Sequence, residues 1–240
     1  MTKHPRRRVV RLALAAWVII AASASARAQG EVTTTPAPRE GAPQKMHESF
    51  LKRAKEGNID LLFLGDSITQ GWGNNEVWQR FYAPRNVANF GIGGDRTEHV
   101  LWRLENGEVE GIHPKVVVLM IGTNNSAKNT AEEIARGVTA VVKSLREKLP
   151  ESRILLLGVF PRAEKPGSIR DKLAAVNEQI SKLDDGKIVK YLDISKSFLQ
   201  EDGTIARDVM PDFLHLSPKG YRIWADAMEP TLQAMMEDSK

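Results

Sequence analysis

The stretch Ile59-Asp60-Leu61-Leu62-Phe63-Leu64-Gly65-Asp66-Ser67-Ile68 decides how the rest of the chain is read. Its first six residues form a short, nearly continuous apolar run, which suits a strand covered on both faces, and the run stops at a glycine. Four similar runs follow at residues 87–90, 116–121, 154–159 and 188–192. Helical periodicity fills the gaps, over Val77 to Phe81, Thr97 to Leu104, Ala131 to Leu149 and Ser168 to Leu183, with a last helix from Pro218 to Met236. Thr130 ahead of Ala131-Glu132-Glu133, and Ser217 ahead of Pro218, are capping residues at the expected starts. Repeated strand–helix order predicts right-handed crossovers and an α/β fold: a doubly wound, flavodoxin-like parallel five-stranded sheet with helices on both faces. In such a sheet ligands sit beyond the carboxyl ends of the strands, so the residues just after each strand are the first candidates for chemistry.

Working outward, residues 46–240 show no internal repeat and no second composition regime, and are expected to form one domain. Residues 29–45 read as a flexible linker, because Gly30 to Gln44 is rich in Thr, Pro and Ala and Val32 is its only large apolar residue. Residues 1–28 read as a signal peptide: basic to Arg11, apolar from Leu12 to Ala22, then small residues ending at Ala26-Arg27-Ala28. Cleavage after Ala26 or after Ala28 fits equally small residues, and Arg6-Arg7-Arg8-Val9-Val10-Arg11 leaves both the general and the twin-arginine export routes open. An apolar run of that length is too short to anchor the protein in a bilayer, so an exported, periplasmic or secreted protein without stable membrane insertion is expected.

The net charge of +4 comes from the leader. Lys3, Arg6, Arg7, Arg8, Arg11 and Arg27 all precede Gln29 with no acid among them, and the remainder is slightly acidic, which removes the electrostatic argument for nucleic acid. The absence of cysteine excludes disulfides, thiolate metal sites and a cysteine nucleophile. His47, His99 and His113 lack metal-ligand spacing, and the glycine-rich run after the second strand lacks dinucleotide spacing, so neither metal nor cofactor is expected.

Ser67, just past the first strand, is by itself more often a turn former than a nucleophile, since a serine hydroxyl needs a neighbouring base. Asp212-Phe213-Leu214-His215, before the last helix, can supply one: His215 as base, with Asp212 holding its tautomer. Gly91-Ile92-Gly93-Gly94-Asp95 would bring backbone N–H groups close to a substrate, and Gly122-Thr123-Asn124-Asn125 places amide side chains at the next strand end. Each signal is weak alone. Together, separate strand ends deliver a nucleophile, backbone donors, an amide and a base–acid pair to one edge. Trp72, Trp78 and Trp102 are candidates for the crevice wall, and Arg96 and Arg103 for an anionic substrate group, with structural pairing the commoner use of such arginines.

The four blocks resemble, in order, those of the SGNH or GDSL hydrolase superfamily. The run Asn89-Phe90-Gly91-Ile92-Gly93-Gly94-Asp95-Arg96-Thr97-Glu98-His99-Val100-Leu101-Trp102-Arg103-Leu104-Glu105-Asn106-Gly107-Glu108 is similar to the catalytic subunits of platelet-activating factor acetylhydrolase type IB. The resemblance implies a serine esterase with Ser67, Asp212 and His215 as the triad, and with the Ser67 and Gly94 amides and the Asn124 side chain as the oxyanion hole. It also implies a homodimer. Ile68 stands where the name-giving motif has Leu. The export signal departs from the cytosolic animal enzymes, which act on an ether phospholipid, and shifts the expected substrate to acetyl esters of carbohydrates or other small molecules. Ile68 and Leu214, beside nucleophile and base, are expected to narrow the acyl pocket. A lysophospholipase or thioesterase for longer chains, a deacetylase of carbohydrate polymers, and a non-catalytic exported binding module are the alternatives.

Overall fold

The computed structural model describes residues 32–73 and 75–237. In chain order the elements are α1 (Ala42–Lys55), β1 (Leu61–Gly65), α2 (Ser67–Gln70), α3 (Glu76–Phe81), β2 (Val87–Gly91), α4 (Thr97–Glu105), β3 (Val116–Met120), α5 (Ala131–Lys148), β4 (Arg153–Leu157), α6 (Ser168–Ile180), β5 (Val189–Leu192) and α7 (Pro218–Glu237). All five strands are parallel in the order β2-β1-β3-β4-β5. Gly65 pairs with Gly91 on one side and Met120 on the other, so β1, β2 and β3 end level. After β2 the chain returns past β1 to lay down β3, and this change of direction opens a crevice at the carboxyl ends of those three strands.

Although the strands read as continuous apolar runs, their side chains alternate between two cores. Leu62, Leu64, Val117, Leu119, Ile154 and Leu156 face a layer built from α4, α5 and α6. Leu61, Phe63, Val116, Val118, Met120, Leu155 and Leu157 face α7 and an aromatic group around Phe63, Trp72, Trp78, Tyr82 and Trp224. Ring centroids in that group lie 4.6–6.3 Å apart when Tyr221 is included, in tilted and edge arrangements save for the stacked pair of Tyr221 and Trp224. Trp72 and Trp78 therefore serve the core rather than the crevice wall. The caps form as expected: Thr130 Oγ1 accepts from the Glu133 amide while the Glu133 carboxylate accepts from the Thr130 amide, and Ser217 Oγ accepts from the Gly220 amide.

Two expectations are corrected here. The stretch expected to be a linker is, from Val32 onward, part of the folded domain. Thr33 is fully buried; its hydroxyl donates to the Glu133 carbonyl at 2.8 Å, and its carbonyl accepts from the Thr97 hydroxyl at 2.8 Å. Ala37 N–H adds a bond to the Glu98 carbonyl. A segment poor in large apolar residues is held by hydrogen bonds to α4 and α5, which composition does not reveal. Helix α1 also starts ahead of Met46, at Ala42, with a proline in its first turn. The residues read as a signal peptide lie outside the described residues. Among the described residues no helix is long and apolar enough to cross a membrane.

Candidate active site

The nucleophile candidate sits where β1 gives way to α2 without an intervening loop. A side chain at Gly65 would come within 2.2 Å of Thr69 Oγ1 and 2.4 Å of the Met120 carbonyl, so only glycine permits so sharp a turn. Asp66 caps α2, its Oδ1 accepting from the Ile68 amide at 2.9 Å. Ser67 is the first residue of the helix, a position whose amide has no intrahelical acceptor and is free to bind a ligand oxygen.

From the loop before α7, His215 Nε2 lies 2.9 Å from Ser67 Oγ, and His215 Nδ1 lies 2.7 Å from Asp212 Oδ2. Ionised Asp212 only accepts hydrogen bonds, so Nδ1 carries the proton and Nε2 is left to accept from the serine hydroxyl. Partial burial works against the Asp212 charge, but the His215 ring and the His215 and Leu214 amides outweigh it and hold the carboxyl below its usual range. The pair is open to water, with side chains 46% exposed for His215 and 56% for Asp212. A contact so open to water contributes little stability, so orientation rests on the short turn in which Asp212 Oδ1 binds both amides. Within that turn Phe213 holds φ +59, and its carbonyl accepts from Ala163, itself at φ +70. Two non-glycine residues in the left-handed region are a strained arrangement, here joined by one hydrogen bond beside the triad. Arg207 stacks over the Phe213 ring at 4.4 Å and donates to the Pro211 carbonyl.

The third group comes from the ends of β2 and β3. Gly94 adopts φ +77, which turns the chain so sharply that a side chain there would be strained. Asn124, in the turn after β3, donates one amide hydrogen to the Asp95 carbonyl at 2.8 Å and keeps the second for a ligand. The neighbouring Asn125 is buried and accepts from the Thr97 amide while donating to Glu98, so of the two adjacent asparagines only Asn124 is available to a substrate.

Behind these donors lies a buried ionic network that the sequence did not announce. Arg103 Nε donates to Asp95 Oδ2 at 2.9 Å, its Nη1 reaches Glu108 and the Phe90 carbonyl, and Glu108 in turn binds His47 Nδ1 at 2.9 Å. Arg103 is thus a structural cation, and His47 is its distant partner, with the half-buried Trp102 ring edge-on at 5.1 Å. His99 accepts the Arg96 amide at the start of α4, and burial drives its pKa down to about 4, so it is neutral at neutral pH. Arg96 pairs with Glu98. Among the described residues no group of three acidic or histidine side chains is placed to hold a metal.

Asp66 is wholly buried; its Oδ2 has no hydrogen-bond partner among the described residues. Burial pushes its pKa up to about 7 with a contribution from Asp95, against the pull of the Ile68 amide, His215 and Arg162. Ile68 is corrected: at 1% exposure its side chain is packed into the core shared with α7 and is not open to the crevice. Leu214 is half-buried and packs against the same core.

Residues 63–223 match the GDSL-like Lipase/Acylhydrolase family. The chain is 43% identical over 195 residues to platelet-activating factor acetylhydrolase IB subunit alpha2 of Rattus norvegicus, covering 80% of this chain and 84% of that one. It is 41% identical over 183 residues to the alpha1 subunit of Homo sapiens, covering 76% and 79%. Among solved structures, a putative platelet activating factor protein from Streptococcus pneumonia superposes with a TM-score of 0.67 at 21% identity, over 79% of this chain and 92% of that one. A catalytic mutant of an acetylxylan esterase from Geobacillus stearothermophilus superposes with a TM-score of 0.58 at 20% identity, over 72% and 93%. The solved structures share the fold. The family match runs from inside β1 into α7 and takes in every strand end that supplies a site residue; with relatives above 40% identity, it shows that the chain belongs to the GDSL-like lipase and acylhydrolase family and is a carboxylic ester hydrolase.

Proposed function

We propose that the protein is a serine esterase that removes short acyl groups, acetyl first, from carbohydrate or other small esters through an acyl-enzyme on Ser67. The observation that carries this reading is the chain of contacts from Ser67 Oγ to His215 at 2.9 Å and from His215 to Asp212 at 2.7 Å. His215 Nε2 takes the Ser67 proton as Oγ attacks the ester carbonyl, and Asp212 stabilises the imidazolium that results. Negative charge then develops on the carbonyl oxygen, where the Ser67 and Gly94 amides and the second Asn124 amide hydrogen are the donors. Collapse of the tetrahedral intermediate breaks the ester C–O bond, and the imidazolium returns its proton to the departing alcohol. Water repeats the sequence on the acyl-serine, releasing the acid.

The acetyl preference draws on relatives named acetylhydrolases, and the carbohydrate preference on a likeness in fold to an acetylxylan esterase. The same relatives are named for platelet-activating factor, which favours a lipid ester as the second reading. Residues 1–28 acting as an export signal, and two copies pairing in solution, belong to the proposal too. N-terminal sequencing of protein recovered outside the cytoplasm, and light scattering, check these two parts.

Hydrolysis of p-nitrophenyl esters from acetyl to decanoyl by the full chain, beside Ser67→Ala, tests the reading. We expect rates to fall as the acyl chain lengthens and to vanish in the variant. Equal activity in both proteins removes Ser67 as nucleophile, and a maximum at long chains moves the substrate to lipid esters or thioesters.

A further inference from the structure

Arg39 belongs to the stretch whose composition suggested a linker, yet its guanidinium reaches the turn that carries the Gly94 amide. Arg39 Nη1 donates to the Gly93 carbonyl at 2.7 Å and to Asp95 Oδ1 at 2.7 Å. Resting on the esterase reading above, we propose that Arg39 is a positioning residue for the oxyanion hole, aiming the Gly94 N–H by holding the carbonyl of the same peptide unit.

The argument is one of covalent geometry. The Gly93 carbonyl and the Gly94 N–H share a planar trans amide, so fixing the direction of the oxygen fixes the direction of the hydrogen on the opposite side. Glycines on either side of that amide leave it freer to rotate than any other pair of residues would, and the turn needs outside support. Support comes from two directions: the Gly93 amide donates to Gln70 Oε1 at 2.7 Å, and the Gly93 carbonyl accepts from Arg39. A charged donor on the carbonyl oxygen also polarises the amide and strengthens its N–H as a donor.

Asp95 ties both oxyanion donors to the same anchor. Its carboxylate lies between Arg39 and the buried Arg103, and its carbonyl accepts from Asn124. Arg39 is 28% exposed, and what holds its backbone in place is the docking of residues 33–37 on α4 and α5. The segment ahead of α1 therefore completes the site in space while lying far from it in sequence.

The test uses the full chain with p-nitrophenyl acetate and compares wild type, Arg39→Met, Arg39→Lys and Ser67→Ala. Displacing a catalytic group by about 1 Å costs on the order of 10²-fold, so Arg39→Met is expected to lower kcat roughly ten- to hundredfold with KM within about twofold. Its Tm should stay close to wild type. Both bonds come from one nitrogen, so the single ammonium of Arg39→Lys can remake them and should recover part of the lost kcat. If Ser67→Ala is inactive while Arg39→Met keeps wild-type kcat, the proposal is wrong and the esterase reading stands. A loss in Arg39→Met that follows a fall in Tm, or one that Arg39→Lys does not relieve, also overturns it. Full activity in Ser67→Ala overturns both readings.

Discussion

The two halves of the site are built in opposite ways. On the base side, Asp212 and His215 lie three residues apart in one exposed turn, and most of what orients them is local, two backbone amides and the hydrogen bond from the imidazole to the carboxylate, with one long-range bond from the Ala163 amide to the Phe213 carbonyl. On the oxyanion side, Gly94 and Asn124 are held by groups far apart in sequence, through a network in which Asp95, Arg103 and Glu108 are all buried. The difference teaches where each half is vulnerable. The base side can lose its chemistry without disturbing the fold, whereas the oxyanion side cannot lose the buried Arg103 without leaving Asp95 and Glu108 short of their shared cation.

Asp212→Asn is the sharpest probe of the first half. The amide oxygen can still bind the Leu214 and His215 backbone, so the turn and the Tm should survive, while kcat on p-nitrophenyl acetate should fall about 10⁴-fold because the imidazole is no longer held in the right tautomer. A comparable loss of Tm would break the contrast. Arg103→Met probes the second half: it strips Asp95 and Glu108 of a shared cation, and urea unfolding should show a loss of about 3–5 kcal/mol. Asn124→Ala sits between the two, since it removes a donor while leaving the network charged. Its kcat should fall on the order of 10²- to 10³-fold with little change in KM, and wild-type turnover would count against its assigned role.

Asp66, at the meeting of the halves, sharpens the comparison through pH. Its pKa in the fold is raised from 3.8 to about 7, so between those values the folded state keeps a proton that the unfolded chain has lost. The Asp66 contribution to stability then falls as pH rises from about 4 to about 7, by at most about 1.4 kcal/mol per pH unit, and is constant above that, while neutral buried His99 contributes in the opposite sense between about 4 and 6.5. Asp66→Asn retains a good helix cap and should make the slope of this stretch more positive than in wild type in urea titrations at successive pH values, because it removes the Asp66 contribution. An unchanged slope in the variant would show that Asp66 is ionised throughout.

The fold was legible because its signals are local. Five apolar runs at regular spacing, with caps such as Thr130 and Ser217, report on nearest neighbours, and the strands came out within a residue or two of where the runs lie. Asp212 and His215 were legible for the same reason: a spacing of three places them in one turn. Ile68 misled because adjacency to Ser67 says nothing about the side of the helix on which a side chain emerges. Trp72 and Trp78 misled because tryptophan near glycine suits a crevice and a core equally well.

By itself the sequence determined the sheet, the strand ends at which chemistry is placed, and the residue types able to perform it, since periodicity, turn chemistry and spacing are written within a few residues of each other. Tertiary structure alone decided how Asn124 is held, that Arg103 is an internal cation, and that residues 33–37 dock on α4 and α5. Those outcomes depend on hydrogen bonds and charges between side chains that separate elements bring together, from 8 positions apart for Asp95 and Arg103 to 100 for Thr33 and Glu133, and no local pattern encodes which partner is taken.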